Sequence, residues 1–409
     1  TAATLATAPV APWDATLFMH SNATADHFNA RCLDGSNGGF YFRKATSPTA
    51  EKKWKFHIQG GGWCTSENNC AARALTPLGS SKAWTPTLST FWGGRAAFSG
   101  LMSASVTQTG DEVDNPFGDW NFVWLAYCDG SSQTSDRVDP HALDDGTSLH
   151  FRGRALLDAH LHELEAQHAF LSTAEEVIIS GTSAGVMSTY MQSSFIKSKL
   201  TAPGAKLVAL PDAGFWWDTL AFGSDTYRPW LAMMEQAIVP TLWNATLRGS
   251  MAKCLDTPPG GNRAKCFSQP YAYSYLDDVP TFVVQSLVDP AGMGYCFKVP
   301  CHLNGNTPGS CTAEQLPLIA AYSAELRGNI TAAQAKFGKR DGHFLTSCAQ
   351  HEETCRQYDW FNITIGQGLT MNSTFTKWYT EGGGVEGSSA IDVGWPGDDS
   401  CRSTAHGAC

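Results

Sequence analysis

Apolar residues along the chain fall into short runs separated by polar, glycine-rich connections, and their spacing switches between two periods. Trp54, Phe56 and Ile58 alternate with Lys53, Lys55 and His57, which predicts a half-buried strand. Phe40-Tyr41-Phe42, Phe122-Val123-Trp124-Leu125-Ala126, Val177-Ile178-Ile179, Leu207-Val208-Ala209-Leu210 and Phe282-Val283-Val284 are compact apolar runs that read as further strands. Leu157, Leu161 and Leu164 recur at i, i+4 and i+7 and predict a helix, and residues 316–326 predict another. His160, His162 and His168 decorate the first of these helices. No second ligand pair accompanies them, so they are expected at its surface or rim and not around a metal.

Strands alternating with helices predict a mainly parallel central sheet flanked by helices, in one domain spanning residues 1–409. The Ala/Thr/Pro-rich residues 1–30 are expected as an arm laid on the surface. Residues 219–275, with a Cys254/Cys266 pair, are expected as a lid-like insertion. The Gly/Ser-rich stretch 376–409, carrying Cys401 and Cys409, is expected as a tail tethered by a disulfide.

Candidate chemistry enters after the run Val177–Ile179. There Gly181-Thr182-Ser183-Ala184-Gly185 matches Gly-x-Ser-x-Gly between a strand and helix-compatible sequence, the pattern of a nucleophile elbow. Such a turn leaves no room for a side chain at Gly181 or Gly185 and lifts Ser183 Oγ clear of the sheet edge. The helix start behind it offers N–H groups to a developing anion. Upstream, the alternating strand runs into Gly60-Gly61-Gly62-Trp63-Cys64, where the second arm of an oxyanion hole belongs in an α/β-hydrolase-like fold. Cys64 and Cys70 are expected to close a small loop that stiffens it.

A serine hydroxyl needs a base within reach, and in this layout the order is Ser, then Asp or Glu, then His. Asp289 ends the run 281–288 and meets the requirement for the acid, whereas Asp277 and Asp278 precede that strand. The later histidines are His302, His343, His351 and His406. Chemistry alone leaves His343 and His351 open, although Cys348 and Cys355 on either side of His351 would hold its loop in place.

Composition narrows the setting. The chain has 409 residues, 43% of them hydrophobic, enough for a sizeable core, and a formal net charge of −10 that argues against nucleic acid or an anionic membrane as partner. No apolar run is long enough to form a transmembrane segment. Thirteen cysteines without a Cys-x-x-Cys pair indicate several disulfides, with at least one thiol left over. Sequons at Asn22, Asn244, Asn329, Asn362 and Asn372 agree with a secreted, extracellular glycoprotein. A start at Thr1 with no signal-like apolar core is expected of a processed form.

Seven blocks together resemble the pectin acetylesterase and Notum family, over roughly residues 30–375. They are Cys32-Leu33-Asp34-Gly35-Ser36, Gly60-Gly61-Gly62-Trp63-Cys64, Cys128-Asp129-Gly130, Gly181-Thr182-Ser183-Ala184-Gly185, Asp212-Ala213-Gly214-Phe215, the strand ending at Asp289, and Cys348-Ala349-Gln350-His351. The resemblance implies a triad of Ser183, Asp289 and His351, with oxyanion donors on the backbone of Gly62, Trp63 and Ala184, and it selects His351 over His343. It implies a serine esterase needing no cofactor and no metal, with O-acetyl groups on an extracellular polysaccharide such as pectin as substrate. A Notum-like carboxylesterase acting on a longer acyl chain of a protein or lipid is the alternative, and a non-catalytic glycoprotein on a hydrolase scaffold is the rival from another class. The chain departs from the family at Val186, where a glycine is usual, and at Pro290-Ala291-Gly292, which lacks a customary glutamine. Both positions bear on pocket shape more than on the triad.

Overall fold

The computed structural model describes residues 11, 13–91, 99–106, 111–238, 242–304, 307–392, 394, 395 and 401; His406 and Cys409 lie outside them. Nine strands form one sheet: β1 (Thr16–Met19), β2 (Gly39–Arg43), β3 (Lys53–Ile58), β4 (Asn121–Leu125), β5 (Glu176–Thr182), β6 (Lys206–Asp212), β7 (Phe282–Ser286), β8 (Gly342–Thr346) and β9 (Ala390–Ile391). Their order across the sheet is β1-β2-β4-β3-β5-β6-β7-β8-β9. Pairing is antiparallel at β1/β2 and β2/β4 and parallel from β4 onward. A mainly parallel sheet with helices on both faces is the α/β-hydrolase-like architecture expected from the sequence.

The helices that matter below are α1 (Asn22–Phe28), α2 (Glu67–Ala74), α3 (Gly153–His168), α4 (Ala184–Lys199), α5 (Pro229–Ile238), α6 (Leu316–Ala335) and α7 (Met371–Glu381). Leu157, Leu161 and Leu164 of α3 pack on Trp54, Phe56, Val177 and Ile179, while Phe375 and Trp378 of α7 pack with Ile178, Val208 and Phe282. Successive residues of β5 therefore enter different core layers, as a strand covered on both faces requires.

Two-sided cover overturns the half-buried expectation for β3. Lys55 is 1% exposed and His57 fully buried. Lys55 Nζ donates to the carbonyls of Leu101 and Ser103 at 2.9 and 3.0 Å, and His57 Nδ1 lies 3.1 Å from Ser180 Oγ. Burial lowers both pKa values, that of His57 to about 3. The surface expectation for His160 is likewise corrected. It is 2% exposed, and its Nδ1 sits 2.8 Å from Nε2 of His20, because β1 and α1 fold over α3. Among the described residues, no His, Cys, Asp and Glu side chains gather as metal ligands would.

Within the stretch expected as an arm, Thr16–Met19 is an edge strand and Asn22–Phe28 a helix. Part of the expected tail likewise lies in α7 and β9. Among the described residues, five disulfides join Cys32–Cys128, Cys64–Cys70, Cys254–Cys266, Cys301–Cys311 and Cys348–Cys401. Cys296 is a buried free thiol. No helix of the described residues is long and apolar enough to cross a membrane.

Candidate active site

Ser183 stands between β5 and α4 with φ 54° and ψ −120°, a strained conformation of the kind found at functional turns. The local sequence permits it. A Cβ at Gly185 would run into the Ile58 carbonyl, and one at Gly181 into the Gly185 carbonyl and Thr189 Oγ1. Val186, the family departure, is accommodated because Gly214 has no side chain to meet it. The Ser183 N–H donates to the Asp212 carbonyl at 3.2 Å, which ties the turn to the end of β6.

Asp289 and His351 come together. The imidazole Nδ1 lies 2.9 Å from Oδ1 and 3.0 Å from Oδ2 of Asp289, which is fully buried, while 23% of the His351 side chain is exposed. Oδ1 also accepts the Ala291 N–H at 2.8 Å, so the carboxylate is fixed before it meets the ring. Burial on its own would lower the His351 pKa. The charge and hydrogen bond of Asp289 outweigh it, with Glu352 and Asp212 adding to the rise, and carry the value to about 9.

The other late histidines lie elsewhere. His343 Nδ1 is 2.6 Å from Gln334 Oε1 on α6, and His302 sits in the Cys301–Cys311 loop. Ser183 Oγ makes no hydrogen bond among the described residues. Catalytic hydrogen bonds of resting hydrolases are often long and tighten when substrate binds.

The glycine loop turns at Gly61 (φ 124°) and Gly62 (φ 66°). Arg73 of α2 draws its carbonyls outward, donating to Gly61 O at 2.9 Å and Gly62 O at 3.3 Å, and Tyr127 Oη donates to Gly62 O at 2.9 Å. Trp63 Nε1 donates to Ser132 Oγ, which donates to the Ala184 carbonyl, each at 2.7 Å. Among the described residues the backbone N–H groups of Gly62, Trp63 and Ala184 have no protein acceptor. The Cys64–Cys70 disulfide closes the loop.

Four supporting groups were given no role by the sequence. Arg73 and Tyr127 act on the glycine loop from 11 and 65 residues away, and no local pattern marks them. Asp212 Oδ2 accepts both the N–H and the hydroxyl of Thr354, at 2.6 and 2.7 Å, and so couples the serine turn to the histidine loop. Glu352 is 3% exposed with φ 64°, and its Oε1 lies 4.0 Å from His351 Nε2. A Cβ at Gly60 would stand 2.7 Å from that oxygen and 2.9 Å from Ser183 Cβ, so Glu352 and Ser183 flank the same spot. The signal available for Glu352 was its place beside the candidate base.

The wall next to the site is aromatic. Trp216 lies 6.4 Å from the His351 ring, stacks on Trp230 at 5.4 Å, and meets Trp63 and Tyr295 edge-on at 5.6 and 5.9 Å. Of the sequon asparagines, Asn22, Asn244 and Asn362 are exposed, and Asn329 and Asn372 are half-buried.

Sheet order and serine turn define the α/β-hydrolase-like class, and several disulfides fit a protein of the secretory pathway. The chain belongs to the pectinacetylesterase family, whose model matches residues 14–402. Pectin acetylesterase 5 of Arabidopsis thaliana is 27% identical over 391 residues, 93% of this chain and 83% of that protein. Pectin acetylesterase 11 of the same plant is 30% identical over 79% of this chain and 76% of its own length. The palmitoleoyl-protein carboxylesterase NOTUM of Schmidtea mediterranea is 28% identical over 87% of this chain and 62% of its own. The solved structure of the Wnt deacylase Notum from Drosophila shares the fold with a TM-score of 0.69, covering 90% of this chain and 93% of that one at 22% identity.

Proposed function

We propose that this protein is an extracellular esterase that hydrolyses O-acetyl groups on a polysaccharide such as pectin, through an acyl-enzyme on Ser183. The observation that carries the reading is the Asp289–His351 pair beside a strained serine turn and a loop of unengaged N–H groups. In this mechanism His351 Nε2 takes the Ser183 proton as Oγ attacks the ester carbonyl. The N–H groups of Gly62, Trp63 and Ala184 receive the tetrahedral oxyanion, and Asp289 holds the imidazolium in place. As the carbonyl reforms, His351 passes the proton to the departing sugar oxygen. A water then gives its proton to His351 and attacks the acyl carbonyl. Acetate leaves, and Ser183 regains its proton.

Packing of Trp63, Trp216, Trp230 and Tyr295 supports a short acyl group, since three of these rings are under 10% exposed and they stack or meet edge-on with centroids 5.2–5.9 Å apart. The similarity to palmitoleoyl-protein carboxylesterases favours a second reading, a longer acyl chain. Hydrolysis of p-nitrophenyl acetate against octanoate separates the two. A strong long-chain preference rejects the acetylesterase reading, and absence of fluorophosphonate labelling at Ser183 in folded protein rejects both.

A further inference from the structure

One buried hydroxyl touches both arms of the oxyanion hole. Ser132 Oγ accepts the indole N–H of Trp63 and donates to the Ala184 carbonyl, each at 2.7 Å. Trp63 belongs to the glycine loop after β3, whereas Ala184 opens α4 directly behind Ser183. The Ser132 backbone reaches the glycine loop by a second route. Its N–H donates to Tyr127 Oη at 3.2 Å, and Tyr127 Oη donates to the Gly62 carbonyl at 2.9 Å. Along both routes a hydroxyl accepts one hydrogen bond and donates the next, an order in which successive bonds strengthen each other.

The position of that hydroxyl is fixed by strained backbone. Ser132 is 1% exposed and has φ 52°, and Gln133 follows with φ 53°. Left-handed backbone disfavours a serine, and it persists where the surroundings over-determine it. Here the fully buried Asp129 supplies the constraint. Its Oδ2 accepts the N–H of Ser131 at 3.1 Å and that of Gln133 at 2.9 Å, so the turn is held on either side of Ser132. Cys128, the residue before Asp129, is bonded to Cys32, and the Gly130 carbonyl accepts the Cys64 N–H at 3.1 Å. The turn is thus clamped to the body of the protein and to the glycine loop at once.

We infer that Ser132 is a positioning residue that sets the spacing between the two arms, keeping the Trp63 and Ala184 N–H groups aimed at the atom that becomes the oxyanion. It touches no reacting atom and acts through Trp63 and Ala184. The inference rests on the esterase reading, because an oxyanion forms only when Ser183 attacks an ester.

Ser132→Gly separates this role from folding, since glycine deletes the hydroxyl and relieves the left-handed backbone together. Ser132→Ala deletes the hydroxyl and keeps the strain. Full-length parent and both variants are compared by denaturant melts, by kinetics on p-nitrophenyl acetate and by inhibition with a trifluoromethyl ketone. Ser183 Oγ adds to the ketone carbon, its proton passes to His351, and the ketone oxygen becomes a tetrahedral oxyanion that stays in the hole. In both variants kcat is expected to fall about 10²-fold, and the ketone to bind more weakly by a similar factor. KM is expected to stay within about threefold, as for an interaction made only in the transition state. The glycine variant should be the more stable of the two. Glycine protein with kcat and ketone affinity within about threefold of the parent overturns the inference, as does a kcat loss with unchanged ketone affinity. A parent that neither cleaves p-nitrophenyl acetate nor binds the ketone rejects the esterase reading itself, and the positioning role with it.

Discussion

Thr354 and Asp212 are 142 positions apart, yet one carboxylate oxygen of Asp212 accepts both the backbone N–H and the hydroxyl of Thr354. The same residue's carbonyl receives the Ser183 N–H. Nucleophile turn and histidine loop therefore share one anchor. Further fixing comes from Leu101, whose N–H donates to Thr354 O at 2.8 Å while its carbonyl receives Lys55.

Asp212→Ala is expected to leave the buried Thr354 N–H without a partner, at a cost of about 1–3 kcal/mol in stability. The larger effect falls on catalysis, because the loop carrying His351 loses its reference point. A drop in kcat of about tenfold or more with little change in KM is the expected outcome, measured on p-nitrophenyl acetate alongside a denaturant melt. Equal kcat in variant and parent would show that the anchor matters for folding alone.

Ser183→Ala is expected to abolish fluorophosphonate labelling and lower kcat by at least about 10³-fold. Arg73→Ala tests the oxyanion loop without touching a reacting atom. Releasing the Gly61 and Gly62 carbonyls lets their neighbouring N–H groups turn, and one misdirected donor costs about 10²-fold in kcat. A KM effect without a kcat effect would argue that Arg73 only shapes the pocket.

The pH profile should expose the crowded surroundings of His351. With its pKa raised to about 9, the resting imidazole is protonated at neutral pH, and kcat/KM is expected to climb through the alkaline range with a midpoint well above 6.5. Glu352→Gln removes one of the charges behind that rise, so the midpoint should move down. An unmoved limb in the variant rules Glu352 out as an electrostatic neighbour of the base. For stability the sign is the usual one for a raised pKa. The contribution of this ion pair is complete below about 6.5 and is lost as pH rises through 9.

Asp359 offers a cleaner stability test. Burial pushes its pKa to about 7, and Arg356, 3.8 Å away, only partly opposes this. Its contribution is complete below the ordinary carboxylate value and disappears as pH climbs through 7. Asp359→Asn should therefore melt a few degrees above the parent at pH 8, about 1–3 kcal/mol, and close to it at pH 4.5. A variant less stable at pH 8 contradicts the assignment.

How much of this could be read in the chain depends on how far each interaction reaches. The elbow is a local event, in which glycines two residues either side of Ser183 are forced by atoms of the turn itself, so its pattern survives in five letters. Strand positions survive too, because apolar runs report burial directly. The alternation through Lys55 and His57 misled because a buried amine capped by two loop carbonyls looks the same in sequence as one facing water. His160 misled for the same reason, its partner His20 lying 140 residues away. Arg73 had no signature at all, since it works on backbone carbonyls, which every residue possesses; Asp212 stood in a resembling block, but nothing local named Thr354, 142 residues away, as its partner.

The Cys348–Cys401 bond has a consequence for the order of events in the life of the chain. The segment presenting the imidazole is stapled to a residue synthesised some fifty positions later. The loop that carries His351 is thus covalently complete only once residue 401 is in place and the two thiols have been oxidised.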